Sequence, residues 1–125
     1  LVAITAEPLT PGPITAMIIG SIGAVIMYFG TKMLESYGLD DVVGAIPVHM
    51  FAGIFGTLVV PLTNPDTSFG TQFVGTASVC IFSFGLSWAT FTILKSTVGL
   101  RISKAAEKLG TDKAEVGVTA YSIRD

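Results

Sequence analysis

The chain has 125 residues, of which 50% are hydrophobic and only 13% charged, and its mean hydropathy is +0.71. Soluble domains carry roughly 25% charged residues, so this composition excludes an ordinary soluble domain and indicates an all-α integral membrane protein. The net charge of −2 argues against nucleic-acid binding. The opening segment LVAITAEPLTPGP lacks the basic region of a secretory signal peptide and reads as the continuation of a longer protein.

Three stretches contain no Asp, Glu, Lys or Arg, and each is long enough to cross a bilayer: residues 8–31, 42–65 and 67–94. A hydrocarbon core of about 30 Å needs about 20 helical residues. We therefore predict transmembrane helices over residues 14–34, 42–60 and 73–94.

In the first helix, Ala16, Gly20 and Ala24 form a small-residue stripe suited to helix packing. Asp40 and Asp41 precede the second helix and suit its positive dipole end.

The basic residues predict the orientation of these helices. With three spans, all of them fall on one side of the membrane: Lys32, Lys95, Arg101, Lys104, Lys108, Lys113 and Arg124. The positive-inside rule then places the C-terminus in the cytoplasm. We divide the chain into a transmembrane part, residues 1–98, and a cytoplasmic tail, residues 99–125. Within that tail, Ser103 and Gly110 predict the start and stop of a short helix.

His49 is the only histidine, and it lies inside the second predicted helix. If that helix begins at Asp41, the imidazole lies about 12 Å along the axis, close to mid-membrane. The spacing of His49, Gly53 and Gly56 places them on one face, toward protein or a cavity. An ionisable side chain at this depth indicates a functional site, although a structural hydrogen bond and haem ligation remain open on spacing alone. Pro47 precedes the histidine and removes a backbone donor early in the helix.

The sequence predicts no enzyme. It contains no nucleophile beside a base, no metal-ligand cluster and no phosphate-binding glycine loop. Cys80 is the only cysteine, so a disulfide framework and a cysteine-based zinc site are both excluded. Nothing in the residues calls for a cofactor.

Two motifs resemble one family. DDVVGAIPVHMFAGIFGTL is similar to the tenth transmembrane helix of the ammonium transporters (the Amt/Mep/Rh group), with its acidic pair, Val-His, Gly and Gly-Thr. GLRISKAAEKLGTDKAEVGVTAY resembles the tail that follows the last helix of those proteins. The resemblance covers essentially the whole chain. It implies the last three helices of an eleven-helix fold, followed by the cytoplasmic tail.

The resemblance also implies the functional residues. His49 matches the second of two pore histidines, the first of which belongs to an earlier helix. Ala45 and Ile46, one turn before His49, are then expected to line the channel. Ammonium would release its proton, and ammonia and that proton would then both cross through an apolar pore. Moving the intact cation into such a pore would cost at least several kcal/mol, because the cation would lose its hydration.

For the tail, the resemblance implies trimer contacts and control of the pore. The matching residues are Gly99, Arg101, Glu107, Gly110, Asp112, Gly117 and Tyr121. Val116 and Ala114 depart from the pattern, which leaves no threonine for phosphorylation at residue 114.

The implied function is ammonium uptake for nitrogen supply, in a homotrimeric channel of a bacterial inner membrane, with a PII-type signalling protein as a possible partner. Two alternatives stay open: an ammonium-sensing module of a signalling protein, and a non-conducting fragment.

Overall fold

The computed structural model describes residues 1–120, and within that range every regular element is helical. Four α-helices follow one another: α1 (Pro13–Ser36), α2 (Ala52–Val59), α3 (Phe69–Thr97) and α4 (Lys104–Leu109). A 3₁₀ turn, Val2–Ile4, precedes α1, and a π-helical segment, Ile46–Phe51, leads directly into α2. Another 3₁₀ turn, Val60–Leu62, follows α2, and a π-helical turn, Asp112–Val116, follows α4.

Two helices are long and apolar enough to cross a membrane. α1 has 24 residues and α3 has 29, with mean hydropathies of 1.8 and 1.7 over their best windows. The helical run Ile46–Leu62 is shorter and extends only about 26 Å at 1.5 Å per residue. The structure therefore confirms that residues 1–120 are all-α with two membrane-length helices, whereas the predicted count of three spans stays a prediction.

The second helix starts later than predicted. Residues 42–44 form a turn in which the Gly44 amide donates to the Asp41 carbonyl at 3.0 Å, so helical structure begins at Ala45 rather than Val42. His49 consequently lies about 6 Å from the start of the helix, not 12 Å. Pro47 stands in the first turn, where a missing backbone N–H is tolerated. The donor that Pro47 was predicted to remove early in the helix is therefore missing from its first turn.

The chain divides into two compact units, Leu1–Phe82 and Ser83–Asp125. In the first unit, the N-terminal 3₁₀ turn packs against both α1 and α2, and the core consists of Ala3, Ile19 and Ala52. The turn Val2–Ile4 thus belongs to the packed part of this unit. The predicted boundary between residues 98 and 99 divides a membrane part of the chain from a tail in water. It does not coincide with the division between the compact units, and it stays a prediction.

Glycines permit this packing. A Cβ on Gly23 would lie 2.6 Å from the Ala3 Cβ, and a Cβ on Gly56 would collide with the Ala3 backbone. Within residues 1–120, nothing from another element lies within 4 Å of a Cβ built on Gly20, so the small-residue stripe predicted on α1 takes no part in this contact and stays a prediction. The contact instead follows the face of α1 that carries Gly23 and Gly30, which are both buried.

Polar side chains tie the N-terminal segment to the loop before α3. The Asn64 amide donates to the Glu7 carboxylate at 2.7 Å, and the Leu9 amide donates to the same carboxylate at 3.1 Å. These two bonds favour the charged form and hold the pKa of Glu7 below its ordinary value. The carboxylate thereby connects residues 57 positions apart in the sequence.

Gly56→Ala should destabilise this unit, because the added methyl group would overlap the Ala3 backbone, which cannot rotate away as a side chain can. Overpacking of this kind costs about 1–3 kcal/mol. The measurement is the melting temperature of the purified full-length protein in detergent. Gly53→Ala is the matched control, since its nearest neighbour, a Val2 methyl carbon, would lie at an ordinary 3.8 Å. Equal melting temperatures for the two variants would contradict the packing described here.

Candidate functional site

Asp41 anchors the start of the helix that carries His49. Its two carboxylate oxygens accept the backbone N–H groups of Ala45 and Ile46, at 2.8 and 2.7 Å. A helix leaves its first N–H groups without partners and carries partial positive charge at that end, so a carboxylate there is favourable. Asp41 therefore has the role predicted for the acidic pair, while Asp40 is exposed to solvent and does not contact these N–H groups.

Pro47 and Phe51 fix the rotation of the same segment. Pro47 is almost completely buried, and a Cβ on Gly30 of α1 would lie 3.0 Å from the Pro47 Cβ and 2.6 Å from the Phe51 ring. Both side chains therefore rest directly on the α1 backbone at Gly30. Because these two residues occupy the face toward α1, the intervening residues His49 and Met50 are directed away from it and are exposed in this chain.

The π-helical geometry changes which residues share the histidine's face. A π-helix closes hydrogen bonds from i to i+5, so one turn takes about one residue more than in an α-helix. Ala45, four residues before His49, is then stacked above it more closely than Ile46, three residues before. In the structure, His49 lies about one turn after the adjacent residues Ala45 and Ile46, and all three are exposed. π-helical turns occur frequently at functional sites.

The imidazole of His49 makes no hydrogen bond within residues 1–120, and the same described range holds no group of ligands able to bind a metal ion. The predicted grouping of His49 with Gly53 and Gly56 is only partly seen. Gly56 is buried against Ala3, whereas His49 is exposed. The sequence spacing assumed an uninterrupted α-helix, and the wider π turn rotates His49 relative to the two glycines.

Residues of the predicted tail form a small polar cluster of their own. The Arg101 guanidinium contacts the Glu107 carboxylate at 2.7 Å, and Ser103 accepts the Ala106 N–H at 3.1 Å to cap α4. The predicted capped helix ending at Gly110 is therefore confirmed. The Arg101–Glu107 pair is largely exposed, and such pairs contribute about 0–1 kcal/mol, so it orients the segment more than it stabilises it.

Asp112 organises the turn that follows α4. Its carboxylate accepts the Ala120 N–H at 2.8 Å, and this bond, with the Lys113 N–H and the Lys113 charge, holds the pKa of Asp112 below its ordinary value. Gly99, Gly110 and Gly117 adopt φ values of 87°, 95° and 76°, in the region that favours glycine. Tyr121 lies outside the described residues.

Some site residues gave no clear signal in the sequence. Gly30 and Phe51 were overlooked because neither is polar and neither belongs to a spaced motif. Asp41 alone, rather than both aspartates, accepts the first N–H groups of the helix, and this depends on the turn at residues 42–44. A glycine three residues after an aspartate is a weak sign of such a turn.

Comparisons with known proteins agree with the resemblance. Residues 1–121 match the model of the Ammonium Transporter Family. The chain is 36% identical to the ammonium transporter Amt2 of Archaeoglobus fulgidus, over 97% of this chain and 30% of that protein. It is 33% identical to Amt2 of Methanocaldococcus jannaschii (97% and 31%) and 32% identical to the ammonium transporter of Corynebacterium glutamicum (98% and 30%). The chain therefore spans less than a third of the length of these relatives.

Asp41→Ala should loosen the start of the histidine-bearing helix by about 1–2 kcal/mol, because two N–H groups lose a charged acceptor. Amide hydrogen exchange of residues 44–50 in the full-length protein measures this effect. Asp40→Ala is the control, since that neighbouring carboxylate is exposed. If both variants exchanged like the unmodified protein, Asp41 would not be the cap.

Proposed function

Since the chain belongs to the Ammonium Transporter Family, we propose that it forms part of a membrane protein that conducts ammonium or ammonia, with His49 in the conduction path. The observation that carries this proposal is the position of His49 itself. It stands on a π-helical segment held by Asp41 and Pro47, and its imidazole is exposed without a hydrogen-bond partner in residues 1–120.

An unpaired imidazole within a bilayer is unfavourable unless another polar group or a substrate reaches it. A neutral imidazole offers one donor and one acceptor, and ammonia can both donate and accept a hydrogen bond. A narrow apolar path with such a group favours a neutral molecule over sodium or potassium, which cannot release a proton. Ala45 and Ile46 would narrow the path with apolar surface on the turn before His49.

The proposal includes partners and location. The remaining helices, with the first pore histidine, would come from the rest of the transporter, and three copies would assemble in a bacterial inner membrane. The C-terminus would be cytoplasmic, and the tail would contact the pore-forming part of its own or a neighbouring subunit. A PII-type protein could then act on that tail. The three relatives described above support transport rather than a sensing module, since their names state transport alone.

His49→Ala in the full-length transporter should reduce ammonium flux or admit potassium, because the hydrogen-bonding group in the path is lost while the buried contacts of Pro47 and Phe51 remain. We expect a change of at least tenfold in flux or in the ammonium-to-potassium ratio. The measurement is current or pH change in proteoliposomes. Met50→Ala, at the next exposed position, is the control and should change neither quantity. Unaltered flux and selectivity in His49→Ala would refute the pore assignment.

Deleting the residues after Leu100 should lower flux without removing the protein from the membrane, because the spans lie before that point. A finer variant tests the ion pair: Arg101→Glu should lower flux, and adding Glu107→Arg should restore it, since the 2.7 Å contact would re-form with opposite polarity. Membrane abundance measured by immunoblotting is the control. Full flux after the deletion would show that the tail has no coupling role.

A further inference from the structure

The segment before α1 is attached to the first unit at two points. At one point Ala3 is buried, with Gly23 of α1 beneath its Cβ and Gly56 of α2 beneath its backbone. At the other point the Glu7 carboxylate reaches the loop of residues 63–68, which precedes α3. The stretch that leads on from there to α1 is mostly exposed. The first attachment is therefore apolar and insensitive to pH, whereas the second depends on an ionisable group.

Both oxygens of the Glu7 carboxylate accept hydrogen bonds. Oε1 accepts the Leu9 N–H at 3.1 Å, and Oε2 accepts the side-chain N–H of Asn64 at 2.7 Å. An ionised carboxylate only accepts hydrogen bonds, whereas a protonated one carries an O–H donor as well. Hydrogen bonds to a charged acceptor are also roughly twice as strong as those to a neutral one. A proton on either oxygen therefore weakens the attachment.

The Asn64 amide can turn toward a protonated Glu7 only by losing a bond within its own loop. Its Oδ1 accepts the Asp66 N–H at 3.0 Å, which directs the NH₂ group toward Glu7. The Asn64 backbone carbonyl accepts the Thr67 hydroxyl at 2.9 Å, so the loop holds the residue on its other side too. A proton on Oε2 would make an O–H donor face an N–H donor. The contact thus favours the ionised carboxylate.

Few ionisable groups lie near this carboxylate. The loop carries one other, the Asp66 carboxylate, which is exposed to solvent. α1 carries its ionisable side chains in its second half, with Lys32 and Glu35 in its last two turns, and the helical run Ile46–Leu62 carries only His49, near its start. In residues 1–120 the charge of Glu7 is therefore stabilised by N–H groups rather than by an ion pair.

These hydrogen bonds make the attachment dependent on pH. The Asn64 bond, followed by the Leu9 bond, holds the pKa of Glu7 below its ordinary value of 4.5. A carboxyl whose pKa is lower in the folded than in the unfolded protein stabilises the fold above its ordinary pKa, and that contribution is lost as the pH falls through the lowered value. The attachment is therefore complete at neutral pH and fails in acid, below pH 4.5.

We propose that Glu7 is an acid-sensitive latch, whose protonation releases the segment before α1 from the loop before α3 and loosens the packing of Ala3 between Gly23 and Gly56. Because Ala3 fills the space between α1 and α2, its release would free these helices to separate at this end. The orientation predicted from the basic residues places both partners of the latch on the outer side of the membrane. The inference rests on contacts within the first unit and not on transport.

The test is amide hydrogen exchange of the purified full-length protein in detergent, from about pH 7 to about pH 3, with each rate compared with the intrinsic rate at the same pH. Residues 1–12 should lose protection about fivefold in acid, because the charged acceptor becomes neutral. Residues 25–34 of α1 report unfolding of the whole unit and should stay protected. Glu7→Gln should show the reduced protection at every pH, since its amide is neutral throughout.

Two variants of the loop separate a latch from a merely structural contact. Asn64→Asp places two carboxylates face to face, so protection of residues 1–12 should be low at neutral pH and rise in acid, when the pair can share a proton. Asp66→Asn is the matched control, since the contact of Asp66 with Asn64 is made by its backbone N–H. It should keep the pH dependence of the unmodified protein.

Four results would each overturn the proposal. The first is equal protection of residues 1–12 in the unmodified protein at both ends of the pH range, and the second is a pH dependence that persists in Glu7→Gln. The third is an Asn64→Asp variant that exchanges like the unmodified protein. The fourth is a loss of protection that reaches residues 25–34 at the same pH, because it would show acid unfolding of the whole unit instead of an opening latch.

Discussion

The close approach of α1 to the histidine-bearing segment determines the rest of the first unit. Gly30 has no side chain, so Pro47 and the Phe51 ring lie directly on the α1 backbone, where a Cβ would be 2.6 Å from that ring. Gly23 and Gly56 admit Ala3 in the same way. Because lipid provides no hydrophobic drive between helices, such dispersion contacts between small residues supply much of the packing energy. Any enlargement at these glycines separates the elements that orient His49.

That packing has a chemical consequence. With Pro47 and Phe51 held on one face and Asp41 holding the first N–H groups, the π-helical segment has little freedom to rotate, and His49 is presented on the opposite side. A functional side chain is best placed by a rigid support. The lone imidazole then needs a polar partner from outside residues 1–120, and a pore shared with the rest of a transporter would provide one.

The sequence predicted some elements better than others, for physical reasons. Charge-free stretches predicted α1 within two residues, because Pro13 and the turn after Ser36 bound it clearly. α3 is longer than predicted at both ends, since the Ser68 hydroxyl accepts the Thr71 N–H and permits an earlier start. The second helix was predicted too early, because apolar content does not reveal the Asp41–Gly44 turn. The choice of Gly30 over Gly20 and the burial of Ala3 depend on tertiary contacts that spacing cannot supply.

The central claim is that the contacts at Gly30 direct His49 into a conduction path. An electron cryomicroscopy structure of the full-length protein in a lipid nanodisc tests it most directly. The account predicts that Pro47 and Phe51 still rest on Gly30, while the His49 imidazole lies within hydrogen-bonding distance of a polar group bordering a continuous path. An imidazole surrounded by lipid acyl chains, or buried against an apolar helix away from any path, would contradict it.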